Sequence, residues 1–212
     1  MRGKSTFDRE YESRPGLFGA KPTWGLEKHL HTARLEPGQK ALDIGCGQGR
    51  DALYLASRGF DVDAFDISAE AIRSLKRVAE EQRHMLINAK RADVRELSLP
   101  TSGYAVVVAR TILDHLDRVS VPAVIDMLKN ACWPGGAVFA TVFTVDDPGH
   151  CKGIDKSSEF ASQILHYFKR GELLGYFDDF ELRAYEEVVK ADNSHGPAHN
   201  HGKARIVAIR PK

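Results

Sequence analysis

The run Asp43-Ile44-Gly45-Cys46-Gly47-Gln48-Gly49 joins a short apolar segment, Lys40 to Ile44, to a stretch with helical periodicity. Glycines at alternate positions let a backbone turn tightly or left-handed and leave no Cβ between chain and ligand. A strand that feeds such a turn and then a helix opens an α/β sheet, whose ligands gather at the carboxyl ends of the strands. Glycine spacing by itself means only a tight turn. Its place at the mouth of the first strand points to a nucleotide-type cofactor.

The rest of the chain repeats that alternation. Residues 51–57 are helical in pattern and Arg58-Gly59 stops them; Asp61–Asp66 is a second strand. Ser68 is an N-cap for a helix reaching about Gln82, with Ile72, Leu75, Val78 and Ala79 on one face. Residues 86–92 form a third strand, and 104–109 a fourth whose unbroken apolar run suits a strand covered on both faces. Residues 122–132 are helical, Pro134-Gly135-Gly136 reads as a turn, and 137–145 form a fifth strand. Two last strands, 180–189 and 204–210, lie close enough to pair antiparallel. The fold class is therefore α/β: Rossmann-like, doubly wound, with a mostly parallel seven-stranded sheet and an antiparallel C-terminal strand pair.

Ahead of the sheet, an irregular arm runs to about Lys21 and leads into a helix near residues 23–33. No internal repeat or low-complexity linker interrupts the 212 residues, which read as one domain. With 30 basic and 29 acidic residues the net charge is +1, so no long-range field draws the chain to nucleic acid or an anionic membrane. No apolar run approaches the roughly 20 residues that span a bilayer, and the charged start lacks the apolar core of a secretory signal. Cys46, Cys132 and Cys151 make an odd, unpaired set, which fits a reducing cytoplasm.

Two features refine the cofactor. A dinucleotide fingerprint, G-x-G-x-x-G/A, needs a small third residue, and counting from Gly45 that position falls on Arg50. Asp66, ending the second strand about 20 residues past the turn, is placed to accept from both ribose hydroxyls. NAD enzymes carry an acid there too, and a solvated or capping Asp is the structural alternative.

The D-x-G-x-G-x-G spacing resembles the first motif of class I S-adenosylmethionine-dependent methyltransferases. That resemblance implies a carboxylate, Asp43, on the methionine ammonium side, with Gly45, Cys46, Gly47 and Gly49 around the methionyl and ribose groups. It implies that Asp66, with Ile67 after it, holds the ribose, that Asp93 accepts from the adenine amino group and Val94 meets the ring edge, and that Arg110 and Thr111 lie beneath the cofactor. Cys46 reads as a small buried filler rather than a nucleophile. More closely, the chain resembles the tellurite-resistance methyltransferases and thiopurine-type small-molecule relatives. The likeness runs through Phe7-Asp8-Arg9-Glu10-Tyr11, Leu17-Phe18-Gly19-Ala20-Lys21-Pro22, the glycine turn, residues 59–66, Phe168-Lys169-Arg170-Gly171-Glu172-Leu173 and His201-Gly202-Lys203-Ala204-Arg205. It implies one methyltransferase domain over 1–212, with the arm and first helix (1–38, Phe18 included) folding over the cofactor and an acceptor-side excursion at 146–178. Two stretches depart from it: Thr111-Ile112-Leu113-Asp114-His115-Leu116, more polar than expected, and residues 147–155.

His195, His199 and His201 lie between the last two strands. Histidines so spaced invite a metal, with Asp192 to complete the site, but a polar hairpin loop is the commoner meaning and no metal is assigned. On the last strand Lys203, Arg205, Val207 and Ile209 share a face. Arg205 there can bind an oxyanion or form a structural ion pair. Methyl transfer from a sulfonium needs mainly alignment, so His199, His201 and Arg205 are expected to orient the acceptor. A soft thiolate or reduced selenium or tellurium anion needs little deprotonation, whereas oxygen or nitrogen needs a base. The expected activity is methyl transfer from S-adenosylmethionine to a small molecule by a monomer or homodimer; the alternatives are a non-catalytic S-adenosylmethionine-binding module and an NAD-dependent oxidoreductase.

Overall fold

In the computed structural model, residues 5–17, 19–30, 38–82, 86–151, 162–192 and 199–212 are described. The strands are β1 (Lys40–Ile44), β2 (Asp61–Asp66), β3 (Ile87–Arg91), β4 (Tyr104–Arg110), β5 (Cys132–Phe143), β6 (Glu181–Asp192) and β7 (His199–Ile209). They form one sheet in the order β3-β2-β1-β4-β5-β7-β6. The first five are parallel, and β7 runs antiparallel to both β5 and β6. The seven-stranded expectation holds, antiparallel pair included.

Helices cover both faces: α1 (Thr6–Ser13), α2 (Leu26–His29), α3 (Arg50–Ser57), α4 (Ala69–Glu81), α5 (Ser120–Ala131), α6 (Pro148–Cys151) and α7 (Glu172–Gly175). Strand parity splits the core in two. Leu42, Val107, Val138 and Ile206 pack beneath α5 and α7, while Ala41, Val106, Phe139 and Val207 pack beneath α2, α3 and α4. Tyr104–Ala109 is buried throughout, as a central strand covered on both faces must be.

Three details differ from the sequence reading. The arm contains a helix, α1, opened by a capping box in which the Asp8 N–H donates to Ser5 Oγ (3.1 Å) and the Ser5 N–H to Asp8 Oδ2 (3.3 Å). Pro134-Gly135-Gly136 is not a turn before β5 but an irregularity within it. Tyr104 pairs with Cys132 and Val106 with Ala137, so extra residues loop out. Arg210 pins them: its N–H donates to the Gly136 carbonyl, and its guanidinium to the Asn130 (3.1 Å) and Cys132 (2.5 Å) carbonyls. Finally, His199 and His201 lie on β7, opposite Asp192 and Lys190 of β6, rather than in a loop. His195 lies outside the described residues.

A candidate cofactor and acceptor site at the carboxyl edge of the sheet

The turn after β1 is held by its own backbone. Gly45 and Cys46 both donate to the Phe65 carbonyl (2.8 and 3.0 Å), and the Gly49 N–H returns to the Cys46 carbonyl (2.9 Å). Gly45, Gly47 and Gly49 all have positive φ (67°, 52° and 89°), which L side chains rarely adopt. Their missing side chains make room for protein. A Cβ would lie 2.7 Å from Ile112 Cβ at Gly45, 2.8 Å from the Tyr11 hydroxyl at Gly47 and 2.2 Å from Leu75 Cδ1 at Gly49. Gly49 thus supplies the close helix packing that a dinucleotide fold obtains one position later. It does not line the cavity, and Arg50 begins α3 instead.

Three carboxylates stand at successive strand ends. Asp43 is buried and accepts from the Ala52 N–H of α3 (2.9 Å); burial, then the neighbouring Asp51, pushes its carboxyl well above the usual range. Asp66 binds two amides: Oδ2 accepts from Gly47 (2.8 Å) and Oδ1 from Ser68 (2.8 Å). Burial raises its carboxyl, and these bonds work against that rise. Asp93 pairs with Arg95, whose Nε donates to Oδ1 (2.9 Å) and whose guanidinium also meets Oδ2, holding the carboxyl below the usual range. Each carboxylate oxygen has two lone pairs, so these contacts orient the acids and still leave acceptor capacity. Such a set of acceptors fits a ligand with an ammonium, a ribose and an amino-bearing ring.

These groups converge on a cavity of about 730 Å³. At the ends of β1 and β2, Asp43, Gly45, Cys46, Gly47, Asp66 and half-exposed Ile67 line it; Asp93, Val94 and Arg110 extend the wall. Phe18 lies outside the described residues. Burial pushes the Cys46 thiol well above its ordinary range, which leaves it no nucleophilic character near pH 7. The arm closes one wall through Tyr11 and Phe7. Gln48 ties it to the turn, its Nε2 donating to the Tyr11 carbonyl (3.2 Å) and its Oε1 accepting from Leu17 N (3.1 Å). Asp8 ties it to α4, where Oδ1 accepts from Ser68 Oγ (2.7 Å) and Glu70 N (3.1 Å).

The far wall is built by β7. His199 and His201 lie with their Nε2 atoms 2.9 Å apart, and His201 Nδ1 is 2.9 Å from Asp147 Oδ2. Asp147 is itself fixed by the Gly149 and Gly202 N–H groups (2.8 and 2.9 Å). Lys203 lines the same wall, paired with Asp192 (2.7 Å) over the Phe143 ring, and burial lowers its ammonium pKa. Arg205 is not on the cavity. Its cross-strand neighbour on β6 is Glu186, and the two pair at 3.1 Å. The adjacent acid captures the guanidinium, and Lys203, on the same strand face, takes the position on the cavity. Asp147, Lys203, Gln48 and Asp8 were missed from sequence; of these only Asp8 carried a readable signal, its capping-box spacing to Ser5. Among the described residues no cluster of three or more His, Cys, Asp or Glu side chains is arranged to hold a metal.

The family model described as "Tellurite resistance protein TehB" matches residues 29–209. The chain belongs to the TehB family. Its seven-stranded sheet is accordingly the α/β fold of that family. A curated relative, "Probable S-adenosyl-L-methionine-dependent methyltransferase TehB" of Haemophilus influenzae, is 31% identical over 152 residues, 70% of this chain and 51% of its own length. "Hemagglutinin 1" of Eikenella corrodens is 32% identical over 152 residues, 71% of this chain and 46% of its own length. The chain therefore spans about half the length of the curated relatives it matches. In fold it is similar to the crystal structure of Haemophilus influenzae TehB (TM-score 0.73, 21% identity, 96% of this chain and 67% of that one). A Methanosarcina mazei S-adenosylmethionine-dependent methyltransferase is similar at TM-score 0.70 and 21% identity, over 90% of this chain and 99% of that one. The TehB-type fold carries all three strand-end carboxylates onto one cavity.

Proposed function

We propose that the chain transfers the methyl group of S-adenosylmethionine to a small-molecule acceptor, a thiol or a reduced selenium or tellurium species. One observation carries this reading: a single cavity joins the acid-lined strand ends to the histidine wall of β7. Asp43 would face the methionyl ammonium, Asp66 the ribose hydroxyls, and Asp93 with Val94 the adenine edge. When bound, the cofactor supplies an already activated methyl group. The chain's own task is to orient the acceptor and exclude water, and alignment of this kind lowers a barrier by about 7–11 kcal/mol.

His201, held by Asp147, and His199, held against His201, orient the acceptor from the β7 wall. The rings of Phe7, Phe143 and Tyr167 add aromatic surface to the same cavity. The net charge of +1 favours a small molecule over nucleic acid. No helix among the described residues is long and apolar enough to cross a membrane. We place the protein in the cytoplasm as a monomer or homodimer. Incubation with methyl-labelled S-adenosylmethionine and a panel of thiols, selenite and tellurite tests the activity. Label in a methylated small-molecule product is expected; absence of any product despite tight cofactor binding would contradict it.

A further inference from the structure

The passage from β4 to α5 is one of the two stretches that depart from the resemblance, and it lines the cavity through Thr111, Ile112 and His115. Thr111 takes a left-handed backbone (φ 47°), rare for a β-branched residue, and its N–H donates to the Thr141 carbonyl (2.8 Å). That turn lays Ile112 over Gly45 and starts a short 3-10 turn, Leu113–His115. Asp114 anchors it: its buried Oδ1 accepts from Phe143 N (2.7 Å), and its carbonyl takes the Leu165 and His166 N–H groups. His115 is thereby delivered to the cavity wall, where the Phe7 ring of α1 meets it edge-on at 5.1 Å.

Its tautomer is set by one contact. Nδ1 lies 2.9 Å from the Gln163 carbonyl, which can only accept, so Nδ1 carries the hydrogen and the neutral ring keeps its lone pair on Nε2. Nε2 has no hydrogen-bond partner among the described residues and is not sealed in. Burial holds the imidazolium pKa below the usual histidine range, opposed only by the Gln163 bond. The groups packed on the ring, Phe7 and the Gln163 carbonyl, carry no charge, and the neighbouring Asp114 carboxylate is turned to Phe143 N. His199 and His201, by contrast, are engaged with each other and with Asp147.

We propose that His115 is the general base, accepting at Nε2 the proton of an acceptor that arrives still protonated, a thiol first among them. This deepens the methyl-transfer reading and rests on it. The thiol proton passes to Nε2, and a sulfur lone pair forms the new bond to the methyl carbon of S-adenosylmethionine. The old carbon–sulfonium pair stays on the departing sulfur. Products are a thioether, S-adenosylhomocysteine and the His115 imidazolium, which returns its proton to solvent.

The test is His115→Gln, assayed with thiols of graded acidity and by ¹⁵N NMR of the wild-type imidazoles. S-Adenosylhomocysteine affinity equal to wild type confirms that the variant is folded. A general base contributes on the order of 10²–10⁴-fold. The variant should therefore lose about 10²-fold or more in kcat/KM with a weakly acidic alkyl thiol. With an aryl thiol already ionised at neutral pH it should lose little. In the spectrum His115 should titrate below its ordinary pKa with the hydrogen on Nδ1. Equal losses across the thiols, a hydrogen on Nε2, or turnover confined to selenite and tellurite and unchanged in the variant would each overturn the proposal while leaving methyl transfer standing. No turnover by wild type with any acceptor would overturn both.

Discussion

Asp66 joins the glycine turn to the cap of α4 through a single carboxylate, accepting from Gly47 on one oxygen and Ser68 on the other. A hydrogen bond to a charged group is worth about 1.5–3 kcal/mol, and removing the acceptor strands two buried amides. Asp66→Ala is therefore expected to lower Tm in the absence of any cofactor, as well as weakening S-adenosylhomocysteine binding. An unchanged Tm by calorimetry would return Asp66 to a ligand-only role. Gly47 makes a sharper case. Its left-handed φ costs an L side chain about 1–2 kcal/mol, and a Cβ there would lie 2.8 Å from the Tyr11 hydroxyl. Gly47→Ala should lift the arm and reduce cofactor affinity about 5–30-fold by titration calorimetry, the factor that about 1–2 kcal/mol gives where the turn must regain that φ to bind. Normal affinity would show that the arm yields without consequence. At this scale the acids and glycines were legible because both leave patterns along the chain, and the fold brings Asp43, Gly45, Gly47, Asp66 and Asp93 to one cavity. It could not show that the glycine Cβ positions are filled by Ile112, Tyr11 and Leu75, since those contacts span the fold.

The arm and the last strand are the elements where local pattern and tertiary setting part. α1 is docked by Asp8, whose carboxylate caps its own helix and the start of α4; the bonds from Ser68, Glu70 and Ser5 outweigh burial and hold its pKa at about 2. A group depressed below its unfolded value near 3.9 adds stability above that pH and loses it as pH falls through the folded value. Wild type should therefore exceed Asp8→Asn in Tm above about pH 4, the two converging toward pH 2. A constant difference across that range would remove the charge from the account. On β7, Arg205 answers to Glu186 rather than to an acceptor. Arg205→Met should cost about 0.2–1 kcal/mol of stability, the worth of a cross-strand pair, and leave kcat near wild type. A large loss of kcat at unchanged Tm would put Arg205 back in the site. The strands of the parallel sheet were legible because apolar runs and parity determine them. The irregularity at residues 134–136 was not, because Pro-Gly-Gly reads alike as a turn or a bulge, and Arg210, which decides, lies far along the chain.

For the whole molecule, sheet order places the cavity more than any one motif does. Parallel pairing places the ends of β1, β2 and β4 along one edge, and the antiparallel β7 brings its histidines and Lys203 to the same edge from the opposite direction. The residues after β3 add Asp93 to the same cavity. One cavity thus receives the strand-end carboxylates from the first half of the chain and the β7 histidines with Lys203 from the second. The central claim is that this cavity is built for S-adenosylmethionine rather than a dinucleotide. Titration calorimetry of the same preparation with S-adenosylhomocysteine and, separately, with NADH tests it directly. Saturable, one-to-one binding of S-adenosylhomocysteine and no heat from NADH are expected; saturable NADH binding with none for S-adenosylhomocysteine would contradict a cavity built for the sulfonium cofactor.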